Sequence, residues 1–250
     1  MIVMQYANGG SLLSYLDQHI NRLTWTMKLR HLKNIAYCLH DIHSRGLIHS
    51  NLHGGNILFD RNVEDIPYVC GLGLSRSVNS REQNSTIRGV LPFIAPEVFA
   101  MCKFTQKSDM YSFGIIMYLI ATGEPPFREW SFDKCLAMRV CEGLRPVMPD
   151  STPEEYKKLA ERCCDADPYK RPDAETLWDE ICKLFEEVDK DNSNDNAWNT
   201  IYHNDVKPLS RLEKESKYSS MLLPTGDLPK PRNSYDLDSA AGMKSTISYK

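Results

Sequence analysis

One apolar run near the middle of the sequence sets the first constraint on the fold. Residues 113–121 form the longest apolar stretch, nine residues, and Gly123 follows shortly after it. A helix that is apolar on every face must be surrounded by protein, and a glycine just past its end is typical of a helix C-terminus. The run is too short to cross a bilayer, which takes about 20 apolar residues. It therefore predicts a central helix buried inside a helical domain.

Further helices are predicted on both sides of this run. One begins at Thr24 and ends before Gly46, and a brief one follows the candidate N-cap Ser11. The long helix has an apolar face made of Leu29, Leu32, Ile35, Ala36, Leu39 and Ile42. Other helices are predicted over residues 132–141, 153–164 and 174–185, and short apolar strands flank a polar loop near residues 49–56. The predicted fold class is mainly α (α+β), with short β-hairpins near that loop.

Composition and charge exclude several functional classes. The 30 Lys+Arg and 33 Asp+Glu give a net charge of −3, which does not favour nucleic acid or an anionic membrane as a partner. The first residues lack the basic region and cleavage site of a signal peptide, so we expect a cytoplasmic protein, with the nucleus as the alternative compartment. The eight cysteines contain no Cys-x-x-Cys pair, which predicts reduced, mostly buried thiols rather than a metal site.

The sequence divides near residue 187. Residues 188–250 are rich in Ser, Lys and Asp, and their apolar residues show no sustained period. Such a segment cannot bury enough apolar surface to offset its ordering entropy, so we expect a polar, disordered tail. A short docking helix over residues 206–223 is the alternative for part of it. The folded domain is predicted over residues 1–187.

Five motifs in the folded part resemble those of eukaryotic protein kinases. Residues 49–56 resemble the catalytic loop H-R-D-L-x-x-x-N, and Gly71 opens a Gly-Leu-Gly where the family has D-F-G. Glu97 ends an A-P-E, Asp109 opens the central helix, and Arg171 stands where the family has the arginine that pairs with Glu97. These segments are nearest to the tyrosine-kinase-like group. The resemblance implies the C-terminal lobe of a protein kinase.

The two carboxylates of the family's chemistry are replaced. Asn51 stands at the aspartate that accepts the proton of the substrate hydroxyl, and an amide cannot take up a proton. Gly71 stands at the aspartate that ligates Mg²⁺ and has no side chain to offer. Asn56 is the only metal-ligand position retained, and Ser50 replaces the loop arginine. We therefore expect no metal site and no cofactor, with ATP and Mg²⁺ used only if the family activity is retained.

The resemblance also assigns structural roles and a pocket. His49 is expected to pack within the loop, Asp109 to accept loop backbone N–H groups, and Glu97 and Arg171 to form an ion pair. Cys70 is read as an inert thiol. The family's adenine pocket corresponds to Met4, Gln5, Ala7 and Leu58.

The chain begins at what resembles the last strand and hinge of the kinase N-terminal lobe. Residues 1–6 contain no glycine-rich loop and no phosphate-binding lysine, so we expect that lobe to be absent from this polypeptide. The strand predicted over residues 2–6 then has an unpaired edge, which favours self-association or a second protein chain.

These observations favour a non-catalytic pseudokinase that acts as a protein-interaction module in signalling, with a protein partner or a second copy and no nucleic acid or membrane. Two alternatives stay open. One is a kinase that transfers the ATP γ-phosphate to Ser, Thr or Tyr hydroxyls by unusual means. The other is a truncated gene model of a longer ATP-binding kinase or pseudokinase, which an in-frame extension upstream of Met1 would reveal.

Overall fold

The computed structural model describes residues 7–60, 66–80, 87–190, 220–223 and 228–234. The helices in these ranges are α1 (Leu12–His19), α2 (Trp25–Ser44), α3 (Pro96–Met101), α4 (Gln106–Thr122), α5 (Lys134–Cys141), α6 (Glu154–Cys163) and α7 (Ala174–Lys190). The strands are β1 (Gly10–Ser11), β2 (Leu47–Ile48), β3 (Ile57–Asp60), β4 (Ile66–Val69), β5 (Arg76–Ser77), β6 (Ile87–Gly89) and β7 (Met221–Leu223). The predicted mainly α fold with short strands is confirmed.

Helix α4 is the centre of the lobe. Its residues 108–122 are buried except Tyr118, which is half-buried. Thr105 caps its N-terminus together with Ser108, and Gly123 ends it at φ 71°. Burying each large aliphatic side chain contributes about 1.5–3 kcal/mol, so a helix enclosed on all sides is a main source of stability. The predicted buried central helix is confirmed.

Helices α2 and α6 pack against this centre, and α7 packs against α2. Helix α2 lies along α7, and α4 packs against α6, where the Tyr156 hydroxyl donates to the Met117 carbonyl oxygen at 2.8 Å. The predicted N-cap of α2 is present, since the Thr24 side chain accepts a hydrogen bond from the Met27 N–H. Five residues of the predicted inner face of α2 are buried, namely Leu29, Leu32, Ile35, Ala36 and Leu39, while the sixth, Ile42, is half-buried.

Short antiparallel sheets frame the polar loop. Strands β1, β3 and β4 form one sheet in the order β1-β3-β4, with Ser11 opposite Leu58 and Ile57 opposite Val69. Strand β2 pairs with β5, Leu47 lying opposite Ser77. The loop between β2 and β3 is therefore fixed at both ends, which holds its side chains in place.

Most of the predicted tail lies outside the described residues, as does the predicted strand over residues 2–6. Helix α7 continues past residue 187 to Lys190. Two short stretches beyond it are described: β7, which pairs with β6, and residues 228–234, where Asn233 is buried. The described end of the alternative docking helix, residues 220–223, is thus extended rather than helical.

All eight cysteines are free. Cys141, Cys163 and Cys164 are buried, and burial raises the pKa of the Cys141 and Cys164 thiols to about 11. The prediction of mostly buried thiols is wrong for the other five, because Cys135 is exposed and the rest are half-buried. The enclosed thiols lie at the ends of α5 and α6, where Cys141 faces the Pro96 carbonyl of α3 and Cys164 faces the Tyr111 carbonyl of α4.

No helix in the described ranges has an apolar stretch long enough to span a bilayer.

Candidate functional site

The predicted site residues meet in the polar loop between β2 and β3. The loop contains a 3₁₀ turn, Gly54–Asn56, and a second 3₁₀ turn, Leu72–Leu74, follows β4 nearby. The Cys70 N–H donates to the Asn56 carbonyl oxygen at 2.8 Å, which joins the two segments. Residues far apart in the sequence, Asn51, Asn56 and Gly71, are thus brought to one place.

Asp109, in the first turn of α4, organises the start of the loop. Its Oδ2 accepts the His49 N–H at 2.7 Å and its Oδ1 accepts the Ser50 N–H at 2.9 Å. His43 Nε2 lies 2.9 Å from Oδ2. Ser50 has φ 65°, in the left-handed region that is uncommon for residues other than glycine. The buried carboxylate satisfies two backbone donors that would otherwise lack partners, and so stabilises this strained turn.

The His49 side chain links the two segments of the site. Its Nδ1 accepts the Asn51 N–H at 3.2 Å, so Nε2 carries the hydrogen and donates to the Cys70 carbonyl oxygen at 2.9 Å. Burial lowers the pKa of His49, which agrees with a neutral ring. Both ring nitrogens are used within the fold, so the imidazole has no free position for acid–base chemistry.

Asn56 closes the loop and fills the space beside Gly71. Its Nδ2 donates to the Asn51 carbonyl oxygen at 2.8 Å. Gly71 has φ 82°, and a Cβ at this position would lie 2.4 Å from both Cγ and Nδ2 of Asn56. These separations are far below van der Waals contact, so no side chain fits at Gly71 while Asn56 keeps its place. The side chain of Asn51 ends in an Oδ1 atom that is buried without a hydrogen-bond partner among the described residues.

This donor set does not fit Mg²⁺. Hard divalent cations prefer several oxygen ligands, mainly carboxylates. The site offers amide groups from Asn51 and Asn56, and the Asn56 nitrogen is committed to a backbone carbonyl. In the described ranges, no group of three or more His, Cys, Asp or Glu side chains could hold a metal ion. The arrangement can position backbone atoms, but it supplies neither a general base nor a metal cage.

His53 is a buried histidine whose pKa is strongly lowered. Its Nδ1 accepts the Gly55 N–H at 3.1 Å, and its ring lies near Phe93. Burial, with a smaller contribution from His49, lowers the pKa of His53 from 6.5 to about 4. The folded state therefore keeps this ring neutral at pH values where the unfolded chain is protonated.

This shift makes the lobe less stable in weak acid. Between pH 6.5 and 4 the unfolded chain binds more protons than the folded one, so the free energy of unfolding falls as pH decreases. Above pH 6.5 the ring is neutral in both states, so His53 costs no stability. Below that pH the free energy of unfolding falls by about 1.4 kcal/mol per pH unit, on the order of 3 kcal/mol in all. Urea unfolding at several pH values should show a shallower pH dependence in His53→Asn, whose amide oxygen can still accept the Gly55 N–H. Parallel profiles of the two proteins would contradict this.

Glu97 and Arg171 form a buried, bidentate ion pair. Arg171 Nη1 and Nη2 lie 2.7 Å from the two carboxylate oxygens of Glu97, and both side chains are almost fully enclosed. Arg171 Nε also donates to the Asp165 carbonyl oxygen at 2.8 Å. The pair joins the start of α3 to the segment before α7, away from the polar loop, and its arrangement is that of a scaffold contact.

The remaining predicted positions are those of the adenine pocket and Cys70. Met4 and Gln5 lie outside the described residues, while Ala7 and Leu58 are half-buried. The Cys70 thiol lies 3.2 Å from the Asn56 carbonyl oxygen, and burial raises its pKa, which disfavours the reactive thiolate.

Sequence reasoning missed two residues that hold the start of the loop, His43 and Gln106, and one that holds the Arg171 segment, Lys107. His43 contacts Asp109, Gln106 Nε2 donates to the carbonyl oxygens of His43 and Leu47, and Lys107 Nζ donates to that of Arg171. A signal existed for His43, which follows Leu39 by four residues and so lies on the buried face of α2. A polar residue on an apolar face indicates a buried partner.

Comparison with known proteins agrees with this geometry. The family described as protein tyrosine and serine/threonine kinase matches residues 1–181. The chain belongs to the protein kinase family. A probable serine/threonine-protein kinase of Dictyostelium discoideum is 30% identical over 192 residues, covering 74% of this chain and 14% of that protein. A putative serine/threonine-protein kinase/receptor of Acanthamoeba polyphaga mimivirus is 31% identical over 194 residues, covering 75% and 12%.

A dual specificity protein kinase of Dictyostelium discoideum is also similar, at 29% identity over 187 residues, with 68% of this chain and 8% of that protein covered. This kinase domain therefore spans a small fraction of the length of these relatives. The predicted membership of the kinase family is confirmed, whereas the assignment to the tyrosine-kinase-like group stays a prediction.

Proposed function

We propose that this kinase domain is a pseudokinase that acts as a protein-interaction module in signalling. The observation that carries the proposal is the contact between Asn56 and Gly71, where the amide fills the space that a metal-binding carboxylate needs. Asn51 adds to it, because general-base catalysis contributes about 10²- to 10⁴-fold and an amide cannot supply it. The ATP and Mg²⁺ implied by the family are not used in this proposal.

The scaffold of the lobe is intact beside this altered site. Asp109 holds the loop and the Glu97–Arg171 pair holds the start of α3, although neither takes part in proton or metal chemistry. A fold that keeps its scaffold residues without its chemical residues supports a role in binding. All eight cysteines are free thiols, which supports a reducing compartment, and we place the protein in the cytoplasm.

The proposal is tested by phosphate transfer from radiolabelled ATP, with Mg²⁺, to a protein substrate that offers Ser, Thr and Tyr hydroxyls. The parent chain is expected to match the Asn56→Ala variant, which lacks the last metal-ligand position. Thermal unfolding should be unchanged by Mg²⁺ and ATP. Transfer by the parent that is lost in Asn56→Ala would overturn the proposal, because background from a contaminant does not depend on Asn56.

The close contact between Gly71 and Asn56 can be tested separately. Gly71→Asp should lower the thermal midpoint, since the new side chain collides with Asn56 at a left-handed position. Gly73→Asp introduces the same carboxylate two residues later, where a Cβ meets no atom within 4 Å, and should leave the midpoint near that of the parent. Equal midpoints for the two variants would show that the site is more open than the contact with Asn56 implies.

A further inference from the structure

The strand β7 lies far along the chain from the strand that it pairs with. Ile87, Arg88 and Gly89 of β6 lie opposite Leu223, Leu222 and Met221, and these two strands form a sheet of their own. β6 belongs to the segment that leads from the Gly71 turn to Glu97. An isolated two-stranded sheet is marginally stable at best in water. Without β7, β6 would present an unpaired edge in the described part of the chain.

A second contact holds the same C-terminal segment to the lobe. Asn233 is buried, its Oδ1 accepts the Ala166 N–H at 2.8 Å, and its Nδ2 donates to Asp165 Oδ1 at 3.1 Å. The Arg232 N–H donates to the Cys141 carbonyl oxygen at 3.0 Å. Met221 and Leu228 pack against the apolar core. We call residues 221–223 and 228–234 the C-terminal latch.

The lobe is shaped for the latch at Gly143. This residue has φ 103°, and a Cβ there would lie 2.6 Å from the Ser234 nitrogen and 2.8 Å from the Asn233 carbonyl carbon. Because both are backbone atoms, they cannot move aside as a flexible side chain can. The latch backbone thus fits against a position where a side chain would exclude it.

The anchor residues on the lobe also contact the end of the β6 segment. The Cys141 thiol lies 3.6 Å from the Pro96 carbonyl oxygen. The Asp165 carbonyl oxygen accepts the Arg171 Nε, and Arg171 holds Glu97. The latch contacts the β6 edge, Cys141–Gly143 and Asp165–Ala166, and we call these parts of the lobe together the docking surface.

We propose that the docking surface is a binding site for an extended peptide, and that the C-terminal latch occupies it in cis. Strand addition to an exposed sheet edge gives affinity through main-chain hydrogen bonds, and Asn233 adds side-chain selectivity. Pro229 and Pro231 lie within the latch and restrict its backbone, which reduces the entropy lost on binding. The partner that fits is a proline-containing extended peptide with an apolar residue at the position of Met221 and an asparagine at that of Asn233.

The latch keeps such a partner out until it is released. Residues 191–219 tether the latch to α7, and a tethered segment competes at an effective concentration on the order of millimolar when its linker spans the two sites. A free peptide at micromolar concentration therefore binds only when the latch is weakened. This inference rests on the proposed function in one respect, since it names the surface of the interaction module.

The experiment uses the full chain and a synthetic peptide with the sequence of residues 219–236. Leu222→Pro removes a backbone N–H from β7 and restricts its φ, whereas Leu222→Thr at the same exposed position is the matched control. Asn233→Ala removes the second anchor, with Lys230→Ala as its exposed control. Protection of the α4 amides shows whether each variant is folded. Because the two anchors are separate contacts, either variant alone can test the proposal if the other fails to fold.

Amide hydrogen exchange at residues 87–89 should quicken by at least about tenfold in Leu222→Pro and Asn233→Ala and stay at the parent rate in both controls. The peptide should bind the two opened variants at least about tenfold more tightly than the parent. Equal binding to parent and opened variants, unchanged exchange at residues 87–89, or no binding to the opened variants at millimolar peptide would overturn the proposal.

Phosphate transfer measured on the same samples separates this inference from the proposed function. Peptide binding without transfer supports both. Transfer that appears when the latch is opened and depends on Asn56 would overturn the pseudokinase proposal but leave the docking surface in place. No effect of the latch variants on exchange or binding, with transfer still absent, would overturn the latch alone.

Discussion

Glu97→Gln is expected to lower the free energy of unfolding by about 3–5 kcal/mol. The substitution keeps the shape of the side chain but leaves the Arg171 guanidinium buried without its counter-charge, and an uncompensated buried charge costs about that much. Both side chains are nearly inaccessible, so water cannot replace the lost carboxylate. Urea unfolding at neutral pH, with the denaturant slope checked for two-state behaviour, measures the loss.

The pair Arg162–Glu180 is the matched control. It is also bidentate, with Arg162 Nη1 at 2.8 Å from Glu180 Oε2 and Nη2 at 3.1 Å from Oε1, but its side chains are 48% and 29% exposed. Solvent screens such a pair, so Glu180→Gln should cost about 0–1 kcal/mol. Similar losses in Glu97→Gln and Glu180→Gln would show that burial does not set the strength of the first pair.

A double replacement tests whether the loss of stability comes from the buried charge that a single substitution leaves unpaired. In Glu97→Leu/Arg171→Met no charge is left buried, so the double variant should be more stable than either single variant. It should not regain parent stability, because the carbonyl oxygens of Asp165 and Lys107 lose the donors that Arg171 provides. Additive losses in the double variant would exclude coupling between the two side chains.

The parts of the fold that follow from local sequence could be predicted. Thr24 caps α2 and Gly123 ends α4 because the polar side chain at one helix start and the glycine after another act within a few residues. The apolar run of α4 required burial whatever surrounded it. Such features depend on short-range periodicity and are visible in one sequence.

The contact between β6 and β7 could not be predicted in the same way. Met221, Leu222 and Leu223 form a short apolar run in a polar segment, and nothing local specifies their partner. Pairing with residues 87–89 depends on an available strand edge and on the close approach at Gly143, both of which exist only after the lobe has folded. The prolines of the latch look like linker residues by composition, although in the folded chain they stiffen a bound segment.

The candidate site also has a part that could be predicted from the sequence and a part that could not. The replacements Asn51 and Gly71 are visible from motif order, because each occupies a defined position in the resemblance to kinases. That Asn56 fills the space beside Gly71 depends on side-chain packing between segments joined by the Cys70–Asn56 backbone bond. The position of His43 on the apolar face of α2 indicated a buried role, but its partner Asp109 could not be predicted, since the contact requires α2 to lie beside the start of α4.

Asp109→Ala is expected to have a comparably large effect, with a loss of about 3–6 kcal/mol in the free energy of unfolding. The carboxylate accepts two backbone N–H groups, and a hydrogen bond to a charged group contributes about 1.5–3 kcal/mol. Alanine is a good helix former, so the substitution does not weaken α4 through propensity. The loss arises instead in the loop, where the His49 and Ser50 N–H groups are left buried without an acceptor.

The location of the damage distinguishes this explanation from a general weakening of the core. Hydrogen exchange in Asp109→Ala should quicken most at the His49 and Ser50 amides, while the α4 amides of residues 113–121 keep their relative protection. Asp109→Asn is the conservative control, because its one oxygen can accept one of the two N–H groups while its NH₂ faces the other. Asp109→Asn should therefore lower the free energy of unfolding, but by less than Asp109→Ala does. A uniform rise in exchange across α4 and the loop would contradict this explanation, because it would show that Asp109 stabilises the helix as a whole. The loop would then be held by the strand pairing of β2 with β5 and of β3 with its neighbours.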